Sequence, residues 1–161
     1  MSDIKSAHPR EGGDTDPSAG WLVGREHQLP VRIYYEDTDF TGVVYHANYL
    51  RYFERGRSDF FRVVGVSHSS LLEQPAPSAF TVTKITVDFR RAARIDDALL
   101  VRTIYDSVRG PRLFIRQRIT RAEELIATAE VEAACIDLSG RAIRPPAGLK
   151  EALAPLFADS P

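Results

Sequence analysis

The chain has a single cysteine among its 161 residues, so no disulfide can close within it. Cys135 lies in an apolar alternating run with no activating motif beside it, which reads as a buried thiol in a reducing compartment rather than a nucleophile. An excess of charge is also missing. Lys and Arg number 21 against 22 Asp and Glu, a net charge of -1, and this excludes an overall electrostatic footprint for nucleic acid or anionic membrane. An anionic ligand would have to meet a local cluster of cations. No stretch is long and apolar enough to span a bilayer, and the opening MSDIKSAHPREGGDTDPSAG lacks the apolar centre of a signal peptide. The expected location is therefore the cytoplasm. Internal repeats are absent as well.

Residues 1–20 carry too few apolar side chains to offset their ordering entropy, so a disordered lead is expected there, with one domain over 21–158. Val31 to Tyr35, short, β-branched and aromatic, is expected to be the first strand. From Asn48 the period changes. Tyr49, Tyr52, Phe53, Gly56, Phe60, Val63 and Val64 recur at steps of three and four, with Arg51, Glu54, Arg55, Arg57 and Arg62 mostly between them, and this predicts one long helix ended by Gly65. Gly56 on its aromatic face implies the close approach of another backbone.

After a connection containing Ser and Pro, strands are expected over Ala79–Arg90, Leu99–Tyr105, Leu113–Thr120 and Leu125–Ile136. The apolar phase slips near Lys84, which predicts a bulge. Four consecutive strands with short turns predict an antiparallel meander. Small residues at Ala127, Ala129 and Ala133 would let a helix lie close, and Leu149, Leu153, Leu156 and Phe157 suggest a closing helix. One long helix with about five antiparallel strands makes an α+β layer structure whose sheet curls around the helix. The exposed edge strand such a sheet leaves is usually paired across a two-fold axis, so a homodimer is expected.

The chemistry concentrates between Tyr34 and Arg57, YYEDTDFTGVVYHANYLRYFERGR. An acid-rich turn, a glycine and a histidine stand immediately ahead of the long helix. That layout suits acyl transfer, since a carboxylate can attack or activate water while free N–H groups of the helix start hold the developing oxyanion. The spacing of Asp37-Thr38-Asp39, Gly42-Val43-Val44-Tyr45-His46, Asn48-Tyr49, Tyr52, Glu54 and Arg57 resembles the signature of the 4-hydroxybenzoyl-CoA thioesterase family of hot-dog-fold enzymes. Within it the run is most similar to the acyl-CoA thioesterase branch associated with the Tol-Pal system, and the similarity extends from about Val31 to Pro146.

The resemblance implies a helix wrapped by a five- or six-stranded sheet, in dimers joined edge to edge and often tetramers. It implies hydrolysis of an acyl-CoA to the acid and free CoA, with neither metal nor redox cofactor. The family's catalytic carboxylate falls on Asp39, as nucleophile or general base; Asp37 reads as a turn acid. His46 falls where the family presents a backbone N–H to the thioester oxygen, and its ring either orients Asp39, shuttles a proton or is structural. Gly42 and Val43 would let the backbone pass close to substrate, and Tyr45 would line the acyl pocket or the dimer seam. Asn48 reads as a helix cap, and Glu54 as a recurrent family acid or a solvated one.

Coenzyme A brings phosphates, for which Arg90, Arg91 and Arg94 after the second strand, and Arg109, Arg112 and Arg116 around a later hairpin, are the candidates. At Ala92 the family often has proline. Three other readings stand beside hydrolysis. A phosphatase of the haloacid dehalogenase type would use Glu36, Asp37, Asp39 and His46 as a hard-metal site but needs a parallel sheet. A hot-dog dehydratase finds no support in the position of Asp39. A non-catalytic partner that binds acyl-CoA or acyl carrier protein at the cell envelope, with any Tol-Pal link resting on resemblance alone, is the remaining alternative.

Overall fold

The computed structural model describes residues 19–157. The lead expected over residues 1–20 lies, except for Ala19 and Gly20, outside them. The chain opens with β1 (Trp21–Val23) and β2 (Glu26–Arg32), turned at Gly24 with φ +60°. The first strand is therefore earlier than expected: Tyr34 and Tyr35 are exposed, and Tyr35–Asp37 form a single 3-10 turn. Pro30 sits inside β2 because β1 pairs only with Glu26 to Gln28 and leaves that side of Pro30 open. Leu29 and Val31 alternate inward with it.

The long helix, α1 (His46–Val63), begins two residues before Asn48 and buries Tyr49, Tyr52, Phe53, Gly56 and Phe60 against the sheet. Gly65, at φ +89°, takes the chain out of it in the left-handed region that glycine tolerates. A short α2 (His68–Leu72) occupies the connection, capped where the Ser70 N–H donates to Ser67 Oγ at 3.1 Å. The remaining strands are β3 (Ala79–Phe89), β4 (Ala98–Arg109), β5 (Arg112–Arg121) and β6 (Glu124–Ile136), followed by α3 (Ala147–Leu153).

All pairings are antiparallel and the order is β1-β2-β4-β5-β6-β3. The meander expected of four strands holds for β4, β5 and β6 alone. β3 pairs with β6, and residues 90–97 carry the chain across to the other side of the helix. That crossing is held by Ala93, fully buried, whose carbonyl accepts the Val44 N–H at 2.8 Å and whose N–H donates to the Tyr49 hydroxyl at 3.3 Å. The register slip near Lys84 is present, between Val82 and Lys84. β4 runs four residues past Tyr105, with a second slip between Tyr105 and Ser107. Arg116 stands opposite Glu130, but Arg118 faces Thr128 and Glu132 faces Phe114.

A six-stranded sheet curled around α1 is the hot-dog arrangement. The helix packs closely on β4 at Gly56, where an added Cβ would stand 2.8 Å from both Thr103 Oγ1 and Val101 Cγ1. The intruders are side chains of β4, not the backbone that the glycine alone suggested. Beside it the buried Gln117 donates to the Phe53 carbonyl at 2.8 Å and to Thr103 Oγ1 at 2.9 Å, and accepts from Arg57. A buried hydrogen-bonded pair fixes the other flank: His27 Nε2 lies 2.7 Å from Asp59 Oδ2, which also accepts the Gly20 N–H. Burial alone would raise the Asp59 pKa, but the hydrogen bonds from His27 and Gly20 outweigh it and hold the carboxyl below its ordinary value.

Candidate active site

Asp39 stands on a tight turn. Its N–H donates to the Val43 carbonyl at 2.9 Å, its carbonyl accepts from the Gly42 N–H at 3.0 Å, and Thr38 bridges Val44. Gly42 has φ +81°, a conformation a side chain would strain, so its place in the turn is set by the backbone. The carboxylate itself is partly exposed. Oδ1 accepts both the Thr41 hydroxyl at 2.5 Å and the Thr41 N–H at 2.8 Å, and these bonds hold its pKa below the ordinary carboxylate value against a smaller opposing effect of burial. His46 adds a weaker electrostatic contribution in the same direction. The carboxyl is thus ionised at neutral pH.

The helix start beside it is uncapped. Tyr45 occupies the N-cap position with no side-chain hydrogen bond, and its own N–H donates to the Asp37 carbonyl at 2.9 Å. The Asn48 N–H folds back onto the Tyr45 carbonyl, so His46 and Ala47 present N–H groups that have no acceptor among the described residues. Asn48 is therefore not the cap it was expected to be. It is nearly buried, and its carboxamide donates to the Asp37 carbonyl at 2.8 Å, because the chain places it one turn-edge inside the helix rather than ahead of it. The His46 ring is exposed, 4.6 Å from the Tyr45 ring and 6.4 Å, edge-on, from Phe89 at the end of β3.

Residues 33–153 match the family model described as the thioesterase-like superfamily. The chain belongs to the thioesterase-like superfamily. It is 42% identical over 117 residues to the acyl-CoA thioesterase YbgC of Haemophilus influenzae, covering 73% of this chain and 85% of that one. It is 45% identical over 109 residues to the acyl-CoA thioester hydrolase YbgC of an Escherichia coli O6:H1 strain, covering 67% and 80%. The crystal structure of a probable thioesterase from Bartonella henselae superposes with a TM-score of 0.73 at 40% identity, over 75% of this chain and 99% of that one. The haloacid dehalogenase reading falls with these matches and with the wholly antiparallel sheet.

In this thioesterase-like chain the candidate arginines divide. Arg90 and Arg91 follow Phe89 directly, are exposed, and donate their N–H groups to the Ile126 carbonyl. Arg94 pairs through its backbone with Val43, so all three lie on the loop that crosses the helix start. Arg112 and Arg109 pair at the opposite end of the sheet, about 23 Å along β5 from the Ile119 level that Phe89 shares through Ala127, at roughly 3.3 Å per residue. Arg116 points to the outer face and is engaged by Asp106 at 2.6 and 2.8 Å. Within one chain, neither Arg112 nor Arg116 is brought to Asp39. The physical reason is that the crossing loop delivers the chain to the start of β4, whereas the β4–β5 hairpin lies at the other end of that strand.

Two contributors to this region carried no local signal. Arg121 donates to the Ala92 carbonyl at 3.2 Å, to Asp97 at 2.6 Å and to Glu124 at 2.7 Å, and so braces the crossing loop where the family often has proline. Ala93 is the other. The aromatic residues of the helix face, Tyr49, Tyr52, Phe53 and Phe60, are closed core. A separate cavity of about 110 Å³ opens further along α1, lined by Glu54, Arg57, Ser58, Phe61, His68 and Phe80 among others. Glu54 stands eight residues past His46, about 12 Å along the axis.

Proposed function

We propose that this protein hydrolyses an acyl-CoA thioester to a carboxylic acid and free CoA, with Asp39 as the reacting carboxylate. The reading is carried by one observation: an ionised, partly exposed carboxylate on a rigid turn beside a helix start whose first N–H groups have no acceptor. The relatives named acyl-CoA thioesterase support it.

In this mechanism the thioester oxygen lies against the His46 N–H, where one donor aimed at the developing charge is worth about 3–4 kcal/mol. Asp39 then acts in one of two ways. As general base it takes a proton from water, whose oxygen bonds to the acyl carbon; as nucleophile it forms a mixed anhydride that water opens. In both the C–S bond breaks, the thiolate leaves and takes up a proton, and the acid is released. No resident metal or redox group enters either route. The loop of Arg90, Arg91 and Arg94 supplies cations for the phosphates of CoA, and Gly42, Val43 and Tyr45 border the thioester.

The active unit is a homodimer. Among the described residues β3 presents an open edge of eleven residues, most of them exposed, and a long free edge is the feature that strand pairing across a two-fold axis removes.

The test is release of free thiol from acyl-CoAs running from short aliphatic through palmitoyl to 4-hydroxybenzoyl, with EDTA present. Turnover is expected to survive EDTA, and Asp39→Asn to lower it by about 10²–10⁴-fold while CoA affinity holds. A folded protein that turns over none of these esters but binds them, unchanged by Asp39→Asn, would instead be the binding partner.

A further inference from the structure

We infer that Asn48 is a positioning residue for Asp39, an inference that rests on the thioesterase reading above. Among the described residues the Asp39 carboxylate makes hydrogen bonds only within its own turn, to Thr41. Nothing in those bonds fixes the turn relative to the helix start, yet the reaction needs the carboxylate and the His46 N–H on one acyl carbon at the same time. The tie between them runs through the residue two places earlier. The Asp37 carbonyl accepts two donors, the Tyr45 N–H at 2.9 Å and Asn48 Nδ2 at 2.8 Å, which fills both of its lone pairs.

The two bonds differ in what they hold. Tyr45 lies outside the helix, at the joint where the turn meets it, so its bond holds the turn to the joint and not to the body of the helix. Asn48 belongs to the first turn of α1 proper, is 8% exposed, and reaches across eleven positions of sequence to the loop. Its bond therefore braces the turn to the same rigid element that carries the free N–H groups. One helical turn further on, Tyr52 is 1% exposed and its hydroxyl lies in the field of the Asp37 carboxylate. Burial, and then that carboxylate, push the Tyr52 hydroxyl far above its ordinary pKa. The carboxylate also accepts the Tyr34 N–H at 2.8 Å. Asp37 is thus gripped by carbonyl and carboxylate alike, and it is the anchor of the Asp39 turn rather than a second acid.

Loss of the Asn48 carboxamide leaves Asp39 and the helix start present but no longer in register, and a misplacement of about 1 Å is worth on the order of 10²-fold in rate. The experiment is a double-mutant cycle on the full chain, Asn48→Ala in the wild-type and Asp39→Asn backgrounds, with kcat, KM and calorimetric affinity for CoA. Asn48→Ala is expected to lower kcat by about 10²-fold, with KM and CoA affinity within about twofold. In the Asp39→Asn background the same substitution should change the residual rate by less than about twofold, because the group it positions is already gone.

A kcat within about threefold of wild type, a rise in KM with kcat intact, or an equal loss in both backgrounds would overturn the inference. If Asn48→Ala does not fold, Asn48→Ser takes its place in the same cycle, read by the same criteria. Full turnover of Asp39→Asn itself would instead remove the catalytic reading of Asp39, and is distinguishable because it appears before Asn48 is touched.

Discussion

Asp39 and its neighbour Thr41 show how a residue's chemistry is set by two atoms. An Asp in a turn commonly bonds its own backbone two residues on, and the Thr41 N–H and hydroxyl on Oδ1 do this here. The effect is to stabilise the ionised form, so the folded-state pKa lies below the ordinary value of 3.8. A base with a depressed pKa stays competent as pH falls and is lost only on passing below that depressed value. Thr41→Val removes the hydroxyl and keeps the N–H. The acid limb of the kcat/KM profile should then move to higher pH, toward the ordinary carboxylate value, with the neutral plateau little changed. An acid limb that stays in place, measured on any hydrolysed ester, would show that another group controls it.

At the scale of elements, α1 decides most of the structure. Its aromatic stripe is the core, its start is the candidate oxyanion site, and near its midpoint it packs closely on β4. Gly56 marks that approach. Alanine there gains about 1 kcal/mol of helix propensity but would place its Cβ 2.8 Å from Val101 Cγ1 and Thr103 Oγ1. Both belong to short β-branched side chains with little freedom to move, so the overpacking, about 1–3 kcal/mol, wins. Gly56→Ala should lower stability by up to about 2 kcal/mol in urea, with the Gln117 bridge to Phe53 disturbed. An unchanged or raised midpoint would mean that β4 yields more easily than its packing suggests.

For the whole molecule the open edge of β3 is the governing feature. Val82 is 43% exposed on that edge, beside the slip at Lys84. In the proposed dimer, Val82→Lys places two like charges near a two-fold axis, and sedimentation should show the protein moving from dimer to monomer with thiolesterase activity falling in parallel. A wild-type protein that sediments as a monomer and is fully active would remove the dimer from the mechanism. Among the described residues no helix is long and apolar enough to cross a membrane.

What the sequence alone determined was the local pattern: the helical stripe from Tyr49 to Val64, the terminating Gly65, the slip at Lys84, the strands from β4 to β6, and the D-x-D turn ahead of the helix. These are legible because period, turn residues and spacing are properties of neighbours in the chain. The tertiary structure decided what depends on distant partners. It put β3 beside β6, moved the first strand back so that Pro30 sits on an open side, and turned Asn48 from a cap into a brace on Asp37. It also separated Arg90, Arg91 and Arg94 from Arg112 and Arg116, and paired His27 with Asp59 across thirty-two positions. Pairing order and buried polar partners are set by which surfaces meet when the sheet closes on the helix, and no window of adjacent residues contains that information.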